Sequence, residues 1–365
     1  MGAPHRFIAV AFSVLVLLEP ACRPPGRRQS TKPPRSMERT LIGATWDDPM
    51  RCAAAIGAGA LMPRASFRLR LLSWTLGWFP DGSPGEPQGD GSNVDWLACA
   101  LTWMDVDVVA LERVKLTPAG QRAMERLVQK LNELTKANWR FEADGCPGSR
   151  RSHVVILWRT DRAQVSLAAS HPELDVSPHT DVDHPDCPGE LTPALGVYVK
   201  STTGGLGFHL VTFELDAEEG PLGVKRRQEA WRQLPGIVKA RQNLRPDTDV
   251  VIAAAFNTVG GAGPELRTPM AEREALTKTL AALDPPLVLV EPADTCTEYA
   301  QGEARETDYM VVSAGMGEAK GLTPRSAGLC GALHCQSIDP NAYVALRQLS
   351  THCPLLFDLS DRDDD

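Results

Sequence analysis

Residues 69–79 read LRLLSWTLGWF. Apolar residues dominate this run, and the turn-forming residues Asp81–Gly85 follow it. A short apolar run that ends at a turn is typical of a buried strand, so we predict a strand from Phe67 to Trp74. One small polar residue, Thr75, stands directly after this predicted strand.

The rest of the chain alternates predicted strands with predicted helices. Asp107–Val114 is a second apolar run, and Thr117 and Pro118 then supply a helix N-cap and a favoured first-turn proline. Later strands are predicted at Val154–Trp158, Leu195–Lys200, Gly207–Leu215, Asp249–Phe256, Pro286–Val290, Tyr309–Ser313 and Pro354–Leu359, and helices at Val224–Ala240 and Met270–Leu283. Strands that come in pairs between two helices predict a two-sheet α/β sandwich with flanking helices.

Four further segments follow the first strand in a fixed order. They are DVVALERV at Asp107–Val114, GLGFHLVTFEL at Gly205–Leu215, DVVIAAAFN at Asp249–Asn257, and TDYMVVS at Thr307–Ser313 with LSTHCP at Leu349–Pro354. Together with Leu69–Phe79, they resemble the signature segments of the endonuclease/exonuclease/phosphatase superfamily, whose fold is the DNase I-like sandwich. Each short motif is weak alone, but five in order predict this fold over residues 66–360.

The resemblance implies a metal-dependent phosphodiesterase site. In active members a Glu and an Asn hold Mg²⁺ against the scissile phosphate. An Asp and a second Asn act on the attacking water and the phosphate. On each side of the phosphate, one His pairs with one Asp. This chain keeps three of those positions: Asn257, Asp308 and His352. It replaces five: Thr75 for Asn, Arg113 for the metal-ligand Glu, Glu214 for His, Ala255 for Asp, and Thr351 for Asp.

Two residues near the replaced positions carry the same chemical groups as those that were lost. Glu112 precedes Arg113, and His209 lies five residues before Glu214. Because neighbouring side chains of a strand point to opposite faces, a shift by an odd number of residues aims a side chain at the other face. We therefore expect both Glu112 and His209 to point away from the pocket.

These replacements predict a site without a metal ion or other cofactor. A guanidinium about 4 Å from a divalent cation, at an effective dielectric near 20, costs roughly 8 kcal/mol. We expect Arg113 to take the place of the metal and Glu214 to pair with it. The predicted function is therefore a catalytically impaired or inactive family member that acts as a binding or interaction module. The alternative is a residual phosphodiesterase or phosphatase that uses Mg²⁺.

The charge of the chain restricts its partners. Its 365 residues carry a net charge of −8, which argues against a strong nucleic-acid footprint. An anionic ligand that bears phosphate or carboxylate, held by Arg113, Asn257 and His352, is one expectation. A protein partner is the other.

The first residues are typical of an export signal. Arg6 precedes the apolar run Phe7–Leu18, which is too short to span a bilayer. We predict a signal peptide at 1–21, with a buried helix as the alternative, and Cys22 as a possible lipidated membrane tether. A Pro-rich linker is predicted at 22–65 and an acidic tail at 361–365. The protein is then periplasmic, an outer-membrane lipoprotein, or secreted.

Export also changes how the nine cysteines are interpreted. Without Cys22, eight remain: Cys52, Cys99, Cys146, Cys187, Cys296, Cys330, Cys335 and Cys353. An even number in an oxidising compartment favours disulfides, and the sequence leaves their connectivity open.

Overall fold

Two six-stranded sheets dominate the computed structural model, which describes residues 43–82, 91–145, 152–174, 194–261 and 268–363. The strands in these ranges are β1 (Arg68–Phe79), β2 (Val108–Val114), β3 (Trp139–Ala143), β4 (His153–Arg159), β5 (Ala163–His171), β6 (Ala194–Ser201), β7 (Gly207–Thr212), β8 (Val250–Ala255), β9 (Leu287–Val290), β10 (Glu298–Ala300), β11 (Glu303–Arg305), β12 (Asp308–Ser313), β13 (Arg325–Ser326) and β14 (Leu355–Ser360). The helices are α1 (Ala44–Asp47), α2 (Pro49–Gly57), α3 (Val94–Trp103), α4 (Pro118–Thr135), α5 (Pro221–Leu244), α6 (Pro269–Ala281), α7 (Gly328–Leu333) and α8 (Val344–Gln348).

The sheets form the predicted two-layer sandwich. The first sheet has the order β13-β14-β1-β2-β4-β3 and the second β5-β6-β7-β8-β12-β9. In each sheet the central pair, β1–β2 or β7–β8, is parallel. Because parallel strands end at the same edge of a sheet, the carboxyl ends of these four strands lie along one edge of each layer.

Strand alternation separates the apolar residues into layers. Leu69 and Leu71 of β1 belong to the core between the two sheets. Leu72 and Trp74 belong to a second core, beneath α3 and α4. A third core lies between the second sheet and the helices α5 and α6. Polar residues at the ends of the strands follow the same alternation, which decides whether they face the space between the sheets.

The predicted linker is wrong over part of its length. Within residues 22–65, α1 and α2 are helices, and Cys52 forms a disulfide with Cys99 of α3. The Asp48 side chain caps α2 by accepting from the Arg51 amide at 2.9 Å. A capped helix that is crosslinked to the core belongs to the folded unit.

The predicted acidic tail also begins too early. Asp361 is buried and accepts a hydrogen bond from Thr203 Oγ1, and Gly205 pairs with Arg362. Residues 361–363 therefore extend the folded edge of β14. The predicted signal peptide and Cys22 lie outside the described residues.

Three disulfides are present among the described residues: Cys52–Cys99, Cys296–Cys335 and Cys330–Cys353. The other two cysteines of the predicted set, Cys146 and Cys187, lie outside the described ranges. Three disulfides fit a protein of an oxidising compartment. In the part of the chain that the structure describes, no helix has the length and apolar character needed to cross a membrane.

Candidate functional site

The predicted site residues converge on one edge of the sandwich. Thr75 and Arg113 lie near the carboxyl ends of β1 and β2, and Glu214 follows β7. Asp308 begins β12, which runs antiparallel to β8, and His352 precedes β14, which runs antiparallel to β1. A strand that runs antiparallel to its neighbour begins at the edge where that neighbour ends. The fold therefore brings the start of β12 and the segment before β14 to the carboxyl ends of β8 and β1.

The end of β2 differs from the expected alternation. Val108 and Ala110 face the core between the sheets, so Glu112 faces it as well. The expectation that Glu112 points away from the site was therefore wrong. Arg113 has a left-handed backbone (φ 56°), and the pairing of β2 with β4 shifts register between Leu111 and Val114. This irregularity brings the Arg113 side chain to the same edge as Glu112.

Arg113 and Glu214 form an ion pair across the two sheets. Arg113 Nε donates to Glu214 Oε1, and the side chains are 19% and 6% exposed. Burial works against the charge of the guanidinium, but the Glu214 carboxylate outweighs it and raises the pKa of Arg113. The ion pair expected from the sequence is therefore present. It lies at the solvent-facing side of the site, and its two charges neutralise each other.

Glu112 lies below this pair, enclosed by hydroxyl groups. Its carboxyl oxygens lie 2.7 Å from Thr212 Oγ1, 3.2 Å from Ser73 Oγ and 3.4 Å from Thr75 Oγ1. The residue is fully buried. Burial raises its pKa well above the usual range, although the bonds from Thr212 and Ser73 act in the opposite direction. A carboxyl group in this setting favours its protonated form.

Asp308 and His352 form a buried carboxylate–imidazole pair. His352 Nδ1 lies 3.0 Å from Asp308 Oδ2, and Thr75 Oγ1 donates to Asp308 Oδ1 at 3.0 Å. The other ring nitrogen, Nε2, lies 3.4 Å from Glu298 Oε1. Burial lowers the pKa of His352, but Asp308 and Glu298 outweigh it and raise that pKa overall. The imidazole is therefore held between two carboxylates.

The fourth signature segment keeps an amide but offers no acid. Ala255 lies on the same strand face as Val251 and Ala253, which line the core between the sheets. Asn257 follows with a left-handed backbone (φ 51°), and its Nδ2 donates to the Leu215 carbonyl at 2.6 Å. The amide thus ties two loops together.

Two other residues considered from the sequence, Thr351 and His209, place no side-chain group in the site. Thr351 takes part through its backbone, because its carbonyl accepts from the Tyr299 amide at 2.9 Å. His209 lies on the far face of β7, as expected, where its Nε2 contacts the Arg245 carbonyl at 3.0 Å.

Comparison with solved structures decides the fold. An endonuclease/exonuclease/phosphatase from Bacteroides vulgatus superposes with a TM-score of 0.53 at 13% sequence identity, covering 80% of this chain and 98% of that one. The chain has the endonuclease/exonuclease/phosphatase fold. A family protein from Bacteroides thetaiotaomicron gives a TM-score of 0.52 at 15% identity, covering 80% and 94%.

A mannosyl-6-phosphatase from Bacteroides thetaiotaomicron has the same endonuclease/exonuclease/phosphatase fold. It gives a TM-score of 0.51 at 15% identity and covers 80% of this chain and 99% of that one. No protein-family model and no curated protein matches the sequence. At such identities the likeness establishes the fold alone, so the activity has to be argued from the site.

The residues at this edge do not fit the divalent cation that the sequence resemblance implies. At the predicted metal-ligand position stands a guanidinium, and its carboxylate neighbour Glu214 is already paired. The nearby Glu112 is enclosed by three hydroxyls and has no exposed surface. Within the described ranges, no group of three His, Cys, Asp or Glu side chains is arranged to ligate a metal ion.

Sequence reasoning missed two groups that shape the site. Glu298, in the short strand β10, faces His352, and Thr212 of β7 donates to Glu112. Thr212 lies two residues before Glu214, so strand alternation could have placed it on the same face. No comparable signal marked Glu298, because β10 has only three residues.

Proposed function

We propose that this domain does not hydrolyse phosphoesters by metal-dependent chemistry and acts instead as a binding or interaction module. The observation that carries the proposal is the ion pair between Arg113 and Glu214. Arg113 stands where the resemblance places the metal-ligand carboxylate, and Glu214 where it places a phosphate-binding imidazole. At an effective dielectric near 20, an unpaired guanidinium about 4 Å away would disfavour Mg²⁺ by roughly 8 kcal/mol. Pairing with Glu214 reduces this repulsion, but it also keeps the Glu214 carboxylate from acting as a metal ligand.

Burial and charge both oppose the binding of a phosphate at this edge. Glu112, Glu214, Asp308 and His352 are all buried. An incoming phosphate has to displace packed side chains and approach several carboxylates. Ala255 also removes the acid that the resemblance assigns to activation of water. These effects act on the same step, so together they leave little of the original chemistry.

The alternative is a residual phosphodiesterase or phosphatase, and one observation favours it. Asp308 still orients His352 through a 3.0 Å contact, as a working carboxylate–imidazole pair requires. In this structure, however, His352 Nε2 faces the Glu298 carboxylate. That contact has to open before the imidazole can reach a phosphate.

A turnover assay separates the two candidates. Purified protein is incubated with bis(p-nitrophenyl) phosphate and with p-nitrophenyl phosphate, in Mg²⁺ or Mn²⁺ and in chelator, beside the His352→Ala variant. We expect the two proteins to release p-nitrophenol at the same background rate. Metal-dependent turnover that falls at least tenfold in His352→Ala establishes the residual hydrolase instead.

A restored variant tests the reason for inactivity. It carries Thr75→Asn, Arg113→Glu, Glu214→His, Ala255→Asp and Thr351→Asp. Turnover that appears only in this variant shows that these replacements removed the activity. If the restored variant folds, binds Mn²⁺ and remains inactive, the loss lies elsewhere in the domain.

A protein partner suits the structure better than an anionic ligand in the cleft. Arg113 is paired with Glu214, the Asn257 amide is bonded to the Leu215 carbonyl, and His352 lies between two carboxylates. All three groups have to leave these partners before they can hold a phosphate or carboxylate. We therefore place the binding function on the outer surface of the domain.

We also propose that the protein is exported. The three disulfides support an oxidising compartment, and the predicted signal peptide supplies the route. Cys22 is the candidate lipid attachment site, which would make the protein a tethered lipoprotein; without lipidation it is periplasmic or secreted. Mass spectrometry of the N-terminal fragment from the native host distinguishes a diacylglycerol-modified Cys22 from a simple cleavage.

A further inference from the structure

The second sheet ends in a strand that has a neighbour on one side only. Strand β9 stands last in the order β5-β6-β7-β8-β12-β9, and within the described residues it pairs with β12 alone. Its face toward the space between the sheets is only partly covered. Val290 packs against the core there, whereas Val288, two residues earlier on the same face, is 46% exposed. The edge of the sheet is therefore open beside an apolar side chain.

The backbone hydrogen bonds of β9 alternate between β12 and the open edge. The Ala314 amide donates to the Pro286 carbonyl at 3.0 Å, so these two residues form a hydrogen-bonded pair in the β9–β12 register. Such pairs alternate with non-bonded pairs, and Val288 is therefore bonded to Val312. Leu289 lies between bonded pairs, so its N–H and C=O point away from β12. In the part of the chain that the structure describes, these two groups have no partner.

A groove runs along this edge, and the chain that follows β12 forms its other wall. Its volume is about 570 Å³, and ligand sites commonly measure about 300–1,000 Å³. Met316 and Leu322 make its floor apolar, because both pack in the core between the sheets. The Leu289 side chain belongs to the core beneath α6, so Leu289 borders the groove with its backbone. The groove is lined by residues 288–291, 312–317 and 319–323.

The charges at the groove favour a ligand that carries a carboxylate. Lys320 lines the groove and is exposed. Among the residues that the structure describes, it has no ion-pair partner. Glu291, which also lines the groove, is already paired with Arg273 at 3.2 Å. Lys320 is therefore the charge available to a ligand, and an exposed charge of this kind contributes to selectivity more than to affinity.

We propose that β9 and this groove bind an extended, apolar peptide segment of a partner protein that carries an acidic residue. The proposal rests on the function proposed above, since it names the kind of partner that the domain binds. The segment adds a strand to the second sheet, and its backbone bonds to the N–H and C=O of Leu289. Its apolar side chains cover Val288 and Met316, and its carboxylate pairs with Lys320.

The unpaired backbone groups favour a peptide over a small apolar molecule. Such a molecule can cover Val288 and Met316, but it leaves the N–H and C=O of Leu289 without partners and removes them from water. Burying polar groups without hydrogen bonds is costly. An extended chain supplies an N–H and a C=O at the spacing of a strand, and an open edge is a template for it.

The test selects peptides from a phage-displayed library of random dodecapeptides on the immobilised full protein. Val288→Lys places a charge on the open edge, which is a substitution that blocks strand addition. Met270→Lys is its matched control, because Met270 is an apolar residue of α6 that is 65% exposed. Lys320→Glu reverses the charge at the groove, and Lys239→Glu, at an exposed position of α5, is its control. Selected peptides are labelled with fluorescein, and fluorescence anisotropy measures their dissociation constants.

We expect the wild type to enrich peptides in which apolar residues alternate with others and which contain Asp or Glu. Val288→Lys should raise the dissociation constant at least tenfold, whereas Met270→Lys should not change it. Lys320→Glu should weaken binding of the acidic peptide but not of its Asn or Gln counterpart, and Lys239→Glu should affect neither. N-methylation of the peptide backbone should abolish binding at alternate positions only, because an added strand directs every second N–H toward β9.

Three results overturn the proposal. One is the absence of any peptide enriched on the wild type over Val288→Lys, and another is binding that N-methylation lowers at no position or at consecutive positions. The third is self-association in sedimentation that Val288→Lys abolishes, which assigns the edge to a second copy of the chain. If Val288→Lys does not fold, Lys320→Glu and the N-methylated peptides decide. Failure here leaves the turnover assay unaffected, whereas metal-dependent turnover in that assay refutes the proposed function itself.

Discussion

Replacing Arg113 with methionine removes the cation of the ion pair and leaves Glu214 buried without it. Breaking a buried pair by removing one partner costs about 3–5 kcal/mol. Because the Arg113 side chain is 19% exposed, we expect the lower end, about 3 kcal/mol of unfolding free energy. Urea unfolding monitored by tryptophan fluorescence measures the loss.

A second variant isolates the charge from the packing. In Arg113→Met with Glu214→Leu, both charges are gone, and we expect stability close to that of the wild type. The penalty in Arg113→Met alone should shrink as pH falls toward the ordinary carboxyl range, because burial raises the pKa of Glu214 above that range and protonation removes its charge. A cost below about 1 kcal/mol, the value of an exposed pair, or a double variant no more stable than Arg113→Met, refutes this reasoning.

Three further predictions concern the neighbouring groups. His352→Gln should lose stability mainly at low pH: the raised pKa of His352 makes its contribution complete below its unfolded value near 6.5, and that contribution disappears as pH rises through the folded value. Urea unfolding from pH 5.5 to 9 measures the narrowing gap to wild type. Glu112→Gln should change the melting temperature little at pH 7, whereas Glu112→Leu leaves buried hydroxyls without an acceptor and should cost about 1–3 kcal/mol. Replacing both Cys330 and Cys353 with serine should cost about 2–4 kcal/mol by calorimetry.

The sequence predicts the frame of the fold well where apolar runs are short and bounded by turn residues. The predicted strands at Val154–Trp158 and Tyr309–Ser313 coincide with β4 and β12 to within one residue at either end. The helix that begins after Thr117 starts where its cap predicts, with Thr117 Oγ1 accepting from the Gly120 amide. Local sequence patterns were sufficient to predict these elements, because their buried residues follow the spacing of apolar residues in the sequence.

Elements stabilised by distant contacts were missed. Residues 44–57 were assigned to the Pro-rich linker, but the disulfide between Cys52 and Cys99 attaches them to α3. Helix α3 itself, Val94–Trp103, is apolar on nearly every face, so it has little helical periodicity to detect. Its Asn93 cap was the available signal.

The site shows the same division. Matching five short segments located its residues, and the pairing of Arg113 with Glu214 followed from the positions that each replaces. The direction of Glu112 was wrong because strand alternation was counted from Arg113. Arg113 has a left-handed backbone. Residues other than glycine rarely adopt this conformation, and the sequence does not indicate it here. Alternation counted from Val108 and Ala110 gives the observed direction.

The central claim is that an ion pair occupies the place of the metal. A crystal of the protein soaked in Mn²⁺ and measured at the manganese absorption edge tests it most directly. We predict well-ordered Arg113 and Glu214 side chains within hydrogen-bond distance of each other, and no anomalous peak at this edge of the sandwich. An anomalous peak beside Glu112 or Asn257, with the Arg113 side chain swung out of the site, would contradict the account.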